Sequence, residues 1–175
     1  MSAAFVQRVK SLPIFVLLAV LVWSPLDSFA DPVKLYLVRH AEKVDQSQDS
    51  ALTELGESRA QAIANILEAE PLAHIFSTPF NRTLLTAKPA ADFHELDIAE
   101  YDGNRLQEFA QELRLLEGVA LVVGHSNTTP VLVNHLVGTE LPLLQDHEYD
   151  RVYVVSIAEG GDAKLEMLYT APRTP

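Results

Sequence analysis

The 175-residue chain contains no cysteine. No disulfide framework can therefore hold the fold, and no lipid anchor can be attached through a thiol, so stability has to come from an apolar core. Basic residues are also scarce, with 13 Lys and Arg against 24 Asp and Glu for a net charge of −11. A surface of that sign lacks the cationic footprint that nucleic acid or an anionic membrane face requires, which excludes both as partners. Long apolar runs are missing as well. The longest is the twelve residues from Leu12 to Trp23, short of the roughly 20 that span a bilayer.

That short run carries a different signal. Arg8 and Lys10 precede it, Pro25 and Asp27 close it, and Ser28-Phe29-Ala30 ends in a small residue suited to cleavage. Residues 1–30 thus read as a secretory signal peptide cut near Ala30, in preference to an uncleaved signal anchor. The expectation is a periplasmic or secreted protein with no stable membrane insertion after cleavage. Its remaining 31–175 segment carries 11 basic and 23 acidic residues, an excess of twelve negative charges, and Arg39 and Arg82 become local exceptions. A segment of this length supports one domain that buries around two thirds of its unfolded surface, enough for a two-layer or three-layer α/β fold. There is no internal repeat and no low-complexity block.

The segment reads as alternating strands and helices. Val33 to Val38 is apolar without helical spacing, which predicts a short strand buried on both faces. A polar loop follows over 43–51. Thr53 reads as an N-cap, with Glu54 and Glu57 in the first turn and Ala60, Ile63, Ala64 and Leu67 on one helical face up to Pro71. Ala73 to Phe76 is a second strand, and a helix starts near Phe80, with Ala87, Ala90, Ala91 and Leu96 as its packing face and Pro89 as a local disturbance. Asp97 to Tyr101 is a third strand. Asn104 is placed as the cap of a helix carrying Leu106, Phe109, Ala110, Leu113 and Leu116, ended by Gly118. Val119 to Val123 is the strongest strand. Thr128 or Thr129 then caps a helix with Val131, Leu132, His135 and Leu136 turned inward. Arg151 to Ile157 and Lys164 to Tyr169 close the fold around the Glu159–Asp162 turn.

Three strand ends deliver chemistry: Arg39-His40 after the first, Arg82 after the second and His125 after the strongest. Alternating βα units line such ends along one sheet edge, where ligands bind. Arg82 falls in the first turn of its helix, an unfavourable place for a cation unless an anion is to bind there. Two arginines and two imidazoles suit a phosphoryl group, whose charge spreads over its equatorial oxygens. An imidazole can also attack phosphorus in line and form a labile intermediate.

These residues resemble the histidine phosphatase superfamily. Arg39-His40-Ala41-Glu42 matches its R-H-[GA]-E motif, Leu52-Thr53-Glu54-Leu55-Gly56 its L-T-x-x-G, Ser77-Thr78-Pro79 through Arg82 to Thr86-Ala87 its S-[ST]-P-x-x-R-x-x-x-T-A, and Gly124-His125-Ser126-Asn127 its G-H-[GS] turn. The resemblance implies a phosphoglycerate-mutase-like, three-layer α/β/α sandwich around a mostly parallel sheet. It also implies a phosphoric monoester hydrolase with His40 as the phosphorylated nucleophile and Arg39, Arg82 and His125 on the phosphoryl oxygens. The short span from Arg82 to Gly124 resembles the compact bacterial branch. The leaving-group acid stays open between Glu95, whose string His94-Glu95-Leu96-Asp97 looks like the mutase acid's surroundings, and Glu42 or Asp102. Without an acid, phosphohistidine and phosphoanhydride substrates are favoured. The expected partner is a small phosphorylated substrate or a phosphorylated envelope component. Mutase activity is not expected, because an exported enzyme lacks the cytoplasmic phosphorylated cofactors that prime it.

No cofactor is called for, and no metal, since two arginines repel a cation at the His40–His125 pair. His74 and His94 read as surface or helix-end residues, His135 as a partner on a packed helix face and His147 as a turn residue. Two other functions compete: a non-catalytic module that only binds phosphoryl ligands, and a serine hydrolase in which Ser126 mimics a nucleophile elbow with His135 or His147 as base.

Overall fold

The computed structural model of the protein describes residues 33–174, so the leader assigned to 1–30 lies outside the described residues. At the centre runs β1 (Val33–Arg39), beside β4 (Val119–Gly124), and nearly every residue of both is buried. Continuous apolar runs make this possible: Leu35 and Leu37 point to one face of the sheet while Tyr36 and Val38 point to the other.

Six strands form one sheet in the order β3-β2-β4-β1-β5-β6. β2 (Leu72–Ser77) pairs in parallel with β4 and with the three-residue β3 (Ile98–Glu100), and β1 pairs in parallel with β4. The antiparallel part is the hairpin of β5 (Arg151–Ile157) and β6 (Ala163–Tyr169), joined to β1 through β5. The sheet is thus mostly parallel, as expected. Helices α1 (Glu54–Leu67) and α2 (Asn81–His94) pack together over one face, with Ile63, Ala64, Leu67, Ala87, Ala90 and Ala91 buried. Helices α3 (Leu106–Leu113) and α4 (Thr128–Val137) cover the other through Phe109, Leu113, Leu132, Val133 and Leu136. The result is the three-layer sandwich.

Local expectations hold in part. Thr53 caps α1, its hydroxyl accepting from the Gly56 N–H at 3.0 Å. α2 runs straight through Pro89. Asn104 is not a cap: its side-chain amide donates to Asp102 Oδ1, as does its backbone N–H, and Arg105 holds the cap position of a helix that ends at Leu113. α4 is capped at Asn127 and rotated by about one residue from the expected face, so that Val133 is buried and His135 exposed. No helix among the described residues is long and apolar enough to cross a membrane.

Candidate active site

Because β1, β2 and β4 are parallel, their carboxyl ends lie along one edge, and the residues that follow them face a cavity of about 900 Å³. His40 and His125 meet there with ring centroids 5.5 Å apart. Arg39 and Arg82 line the same cavity.

His40 is held by the strand it leaves. Its backbone N–H donates to Gly124 O at 2.9 Å, and the next N–H, of Ala41, donates to Thr86 Oγ1 at 2.9 Å. Its Nδ1 lies 2.8 Å from Ala41 O. A carbonyl can only accept, so Nδ1 carries the ring proton and the Nε2 lone pair is left for chemistry. Burial is the main reason the imidazole pKa falls to about 3; the Ala41 bond works against that shift, and Arg39, His125 and Arg82 reinforce it. His125 is lowered to about 4, again first by burial and then by Arg82, Arg39 and Lys43. Both rings are therefore neutral near pH 7.

The guanidinium groups are anchored and yet incompletely paired. Arg39, 5% exposed, directs Nη1 at the carbonyls of Gln145, Asp146 and Glu148 at 2.8–3.2 Å and stacks at 4.0 Å on the Tyr149 ring. Arg82 donates through Nη1 to Gln48 O at 2.6 Å, approaches His125 Nδ1 with Nη2 at 3.5 Å and lies 4.5 Å over the Phe80 ring. The buried Nε of each arginine has no hydrogen-bond partner among the described residues. A tetrahedral oxyanion in the cavity would meet the two guanidinium groups that line it.

The loop over 43–51 forms part of the rim, as expected: Lys43 and Gln46 line the cavity, and Asp49 accepts from the Asn81 N–H at the start of α2 at 3.0 Å. Glycines fix two close approaches. A Cβ on Gly56 would sit 2.2 Å from Glu42 O, and one on Gly124 would sit 2.8 Å from both Thr128 Oγ1 and Tyr101 OH.

Placement corrects several of the expected acids and bases. Glu95 caps the far, C-terminal end of α2 in a left-handed conformation, about 20 Å along the helix from Arg82 and outside the cavity lining. Glu42 grips the buried Arg59 through both carboxylate oxygens at 2.6–2.9 Å and does not line the cavity either. Asp102 lines it, with Oδ1 held by Asn104. Ser126 also lines it but bonds no imidazole among the described residues; His135 is exposed two turns further along α4, and His147 lies in a turn outside the lining, so the triad of a serine hydrolase is not assembled. His74 is half-buried within β2, stacked on Phe76 at 6.2 Å, and not on the surface; His94 ends α2.

Reasoning from the sequence missed Glu100 and Tyr149. Glu100 ends β3 on the same sheet edge and lines the cavity, and its carboxylate makes no hydrogen bond or ion pair among the described residues. Its position after the short third strand was the available signal. Tyr149 comes from an irregular segment with none.

A family profile described as the histidine phosphatase superfamily (branch 1) matches residues 35–111, which include Arg39, His40, Arg82 and Glu100 but not His125. Phosphoserine phosphatase 1 of Hydrogenobacter thermophilus is 40% identical over 77 residues, 40% of this chain and 36% of that protein. The match thus spans about a third of the length of the curated relatives. Among solved structures, the protein histidine phosphatase SixA complexed with tungstate superposes with a TM-score of 0.65 at 20% identity, covering 79% of this chain and 97% of SixA. A putative alpha-ribazole-5'-P phosphatase from Escherichia coli K-12 gives 0.65 at 16% identity, covering 80% and 97%. At those identities the structural likeness establishes the fold.

Proposed function

The chain belongs to the histidine phosphatase superfamily, and from that premise we propose that it is a phosphatase that hydrolyses a phosphomonoester through a phosphohistidine on His40. The observation that carries this reading is the convergence of two guanidinium groups and two neutral imidazoles on one cavity, with the Nε2 lone pair of His40 left free.

In the first step His40 Nε2 attacks phosphorus as the ester P–O bond breaks, and the leaving oxygen takes a proton. Arg39 and Arg82 donate to the phosphoryl oxygens, and their charge offsets what accumulates there without reorganisation. His125 lines the same cavity and adds a donor once the bound anion allows its ring to take up a proton. The proton comes from Glu100, a cavity carboxylate at a strand end whose side chain has no partner among the described residues. In the second step water attacks phosphorus, the P–N bond breaks, Glu100 takes the water's proton, and phosphate leaves with His40 restored. The cavity is much larger than a phosphoryl group, which leaves room for an organic leaving group. A small phosphorylated molecule or a phosphorylated envelope component fits that space and the exported address read from residues 1–30. Amino-terminal sequencing of the protein from an envelope fraction tests that address.

The deciding experiment is rapid quenching of the protein with an aryl phosphate labelled in its phosphoryl group. An acid-labile, base-stable phosphoenzyme and steady phosphate release are expected, both lost in His40→Ala. Equal turnover in parent and variant would reject the assignment, and tight binding of inorganic phosphate without turnover in the parent would leave the non-catalytic module.

A further inference from the structure

From His125 runs a chain of hydroxyls that the proposed reaction does not use. Thr78 Oγ1 sits 2.9 Å from His125 Nε2 and 3.0 Å from Thr83 Oγ1. Thr83 Oγ1 in turn lies 2.8 Å from both Thr78 O and Phe80 O. Thr78 is 1% exposed and Thr83 0%, so water does not compete for these bonds.

The polarity of the chain follows from its far end. Carbonyl oxygens can only accept, so the single hydroxyl proton of Thr83 goes to them, and toward Thr78 the Thr83 oxygen can only accept. Thr78 therefore donates to Thr83 and meets His125 with a lone pair. That position is filled by a proton on Nε2. The other side of the ring agrees: Arg82 Nη2, 3.5 Å from Nδ1, has protons and no lone pair, so Nδ1 faces it as an acceptor.

We infer that Thr78 and Thr83 are positioning residues that pin His125, a cavity-lining residue, as its Nε2–H tautomer, leaving Nδ1, which faces Arg82, as the nitrogen that gains a proton when an oxyanion binds. The importance of that proton for catalysis rests on the phosphatase reading; the tautomer does not. Once an oxyanion offsets the two guanidinium charges, a proton taken from solvent onto Nδ1 forms an imidazolium that donates to Thr78 on one side and to the oxyanion on the other. No bond to the hydroxyl chain has to change. In the opposite tautomer, Thr78 would have to turn its proton onto Nε2 and Thr83 would have to leave its carbonyls.

The test is nitrogen NMR of ring-labelled histidine at pH 7, with and without inorganic phosphate. The parent should show His125 with a protonated Nε2 and a bare Nδ1, and phosphate should protonate Nδ1. Thr78→Val, which keeps the shape but not the hydroxyl, should give a mixture of tautomers and lower kcat/KM roughly tenfold to a hundredfold, the loss seen when an outer partner that orients a functional histidine is removed. Thr78→Ser should restore both. A parent ring protonated at Nδ1 without ligand overturns the inference, as does Thr78→Val with the parent's spectrum and rate. If Thr78→Val does not fold, the parent and Thr78→Ser spectra still decide. A parent that hydrolyses nothing but shows the Nε2–H ring would refute the phosphatase and leave the pinned tautomer standing.

Discussion

Lowering the pH from 7 to 5 should weaken the fold through two residues, His40 and His125. Their imidazole pKa values are about 3 and about 4 in the folded protein, against an ordinary 6.5. Between those limits the unfolded chain binds protons that the folded chain refuses, so stability falls as pH drops through 6.5 and levels off only below the folded values. At pH 5 each ring costs about 2 kcal/mol relative to pH 7, and the pair about 4 kcal/mol, a large part of the 5–15 kcal/mol typical of a domain. Urea unfolding in phosphate-free buffer reads this directly: with a slope of about 2 kcal/mol per molar, the midpoint should drop by about 2 M between pH 7 and 5. The double variant His40→Asn, His125→Gln keeps a donor toward Ala41 O and one toward Thr78 but cannot titrate, so its midpoint should hardly move. Carboxylates such as Asp150, where burial raises the pKa but bonds from Thr174 and Arg173 outweigh it, and Glu70, lowered first by its bond from Lys34, sit below their usual range; they lose their contribution at lower pH and do so equally in both proteins. Parallel loss in parent and double variant over this interval would refute the argument that the site holds its imidazoles neutral.

Gly56→Ala drives a Cβ to within 2.2 Å of Glu42 O, two residues past His40; a loss of about 1–3 kcal/mol and several degrees of Tm is expected by calorimetry, with lower activity, and an unchanged Tm would contradict the contact. Arg59→Met removes the buried partner of Glu42 along with bonds to Thr170 Oγ1 and Pro172 O. Chemical denaturation should show a cost of about 3–5 kcal/mol, partly recovered when Glu42 is also changed to Met. Glu100→Gln should slow an alkyl phosphate roughly a hundredfold but spare an aryl phosphate, whose leaving group needs no acid, and equal losses on both substrates would remove Glu100 from that role.

The sandwich was legible because its signals are local. Val119–Val123 is apolar without interruption because β4 is buried on both faces, and the residues after each strand carry the charge. Errors arise where the signal depends on phase or on distant partners. Val131, Leu132, His135 and Leu136 fit an amphipathic stripe as well as Leu132, Val133 and Leu136 do, and only packing against α3 and the sheet chooses between them. Arg59 breaks the apolar pattern of α1 from inside the protein, where Glu42 and Thr170 receive it from 17 and 111 residues away. Tyr149 lacks periodicity altogether and is brought to the site by three carbonyls that converge on Arg39. Thr78 was visible within a motif, but its bond to a ring 47 residues away was not.

How the site holds together before any anion arrives bears on all of this. Two guanidinium groups and two imidazoles around one cavity repel one another if all are charged, and in a partly buried setting each such pair costs several kcal/mol. The protein lowers that cost in three ways. Burial keeps both imidazoles neutral, so two cations remain instead of four. Carbonyl oxygens face the outer nitrogens, three on Arg39 and one on Arg82. Finally, the π faces of Tyr149 and Phe80 lie under the two guanidinium planes, where the ring quadrupole attracts a cation. All three stabilise the cations without a direct ion pair to either guanidinium among the described residues. Such a site gains most from a ligand that brings negative charge and several acceptor oxygens together, which separates a phosphoryl group from a carboxylate or a neutral ester carbonyl.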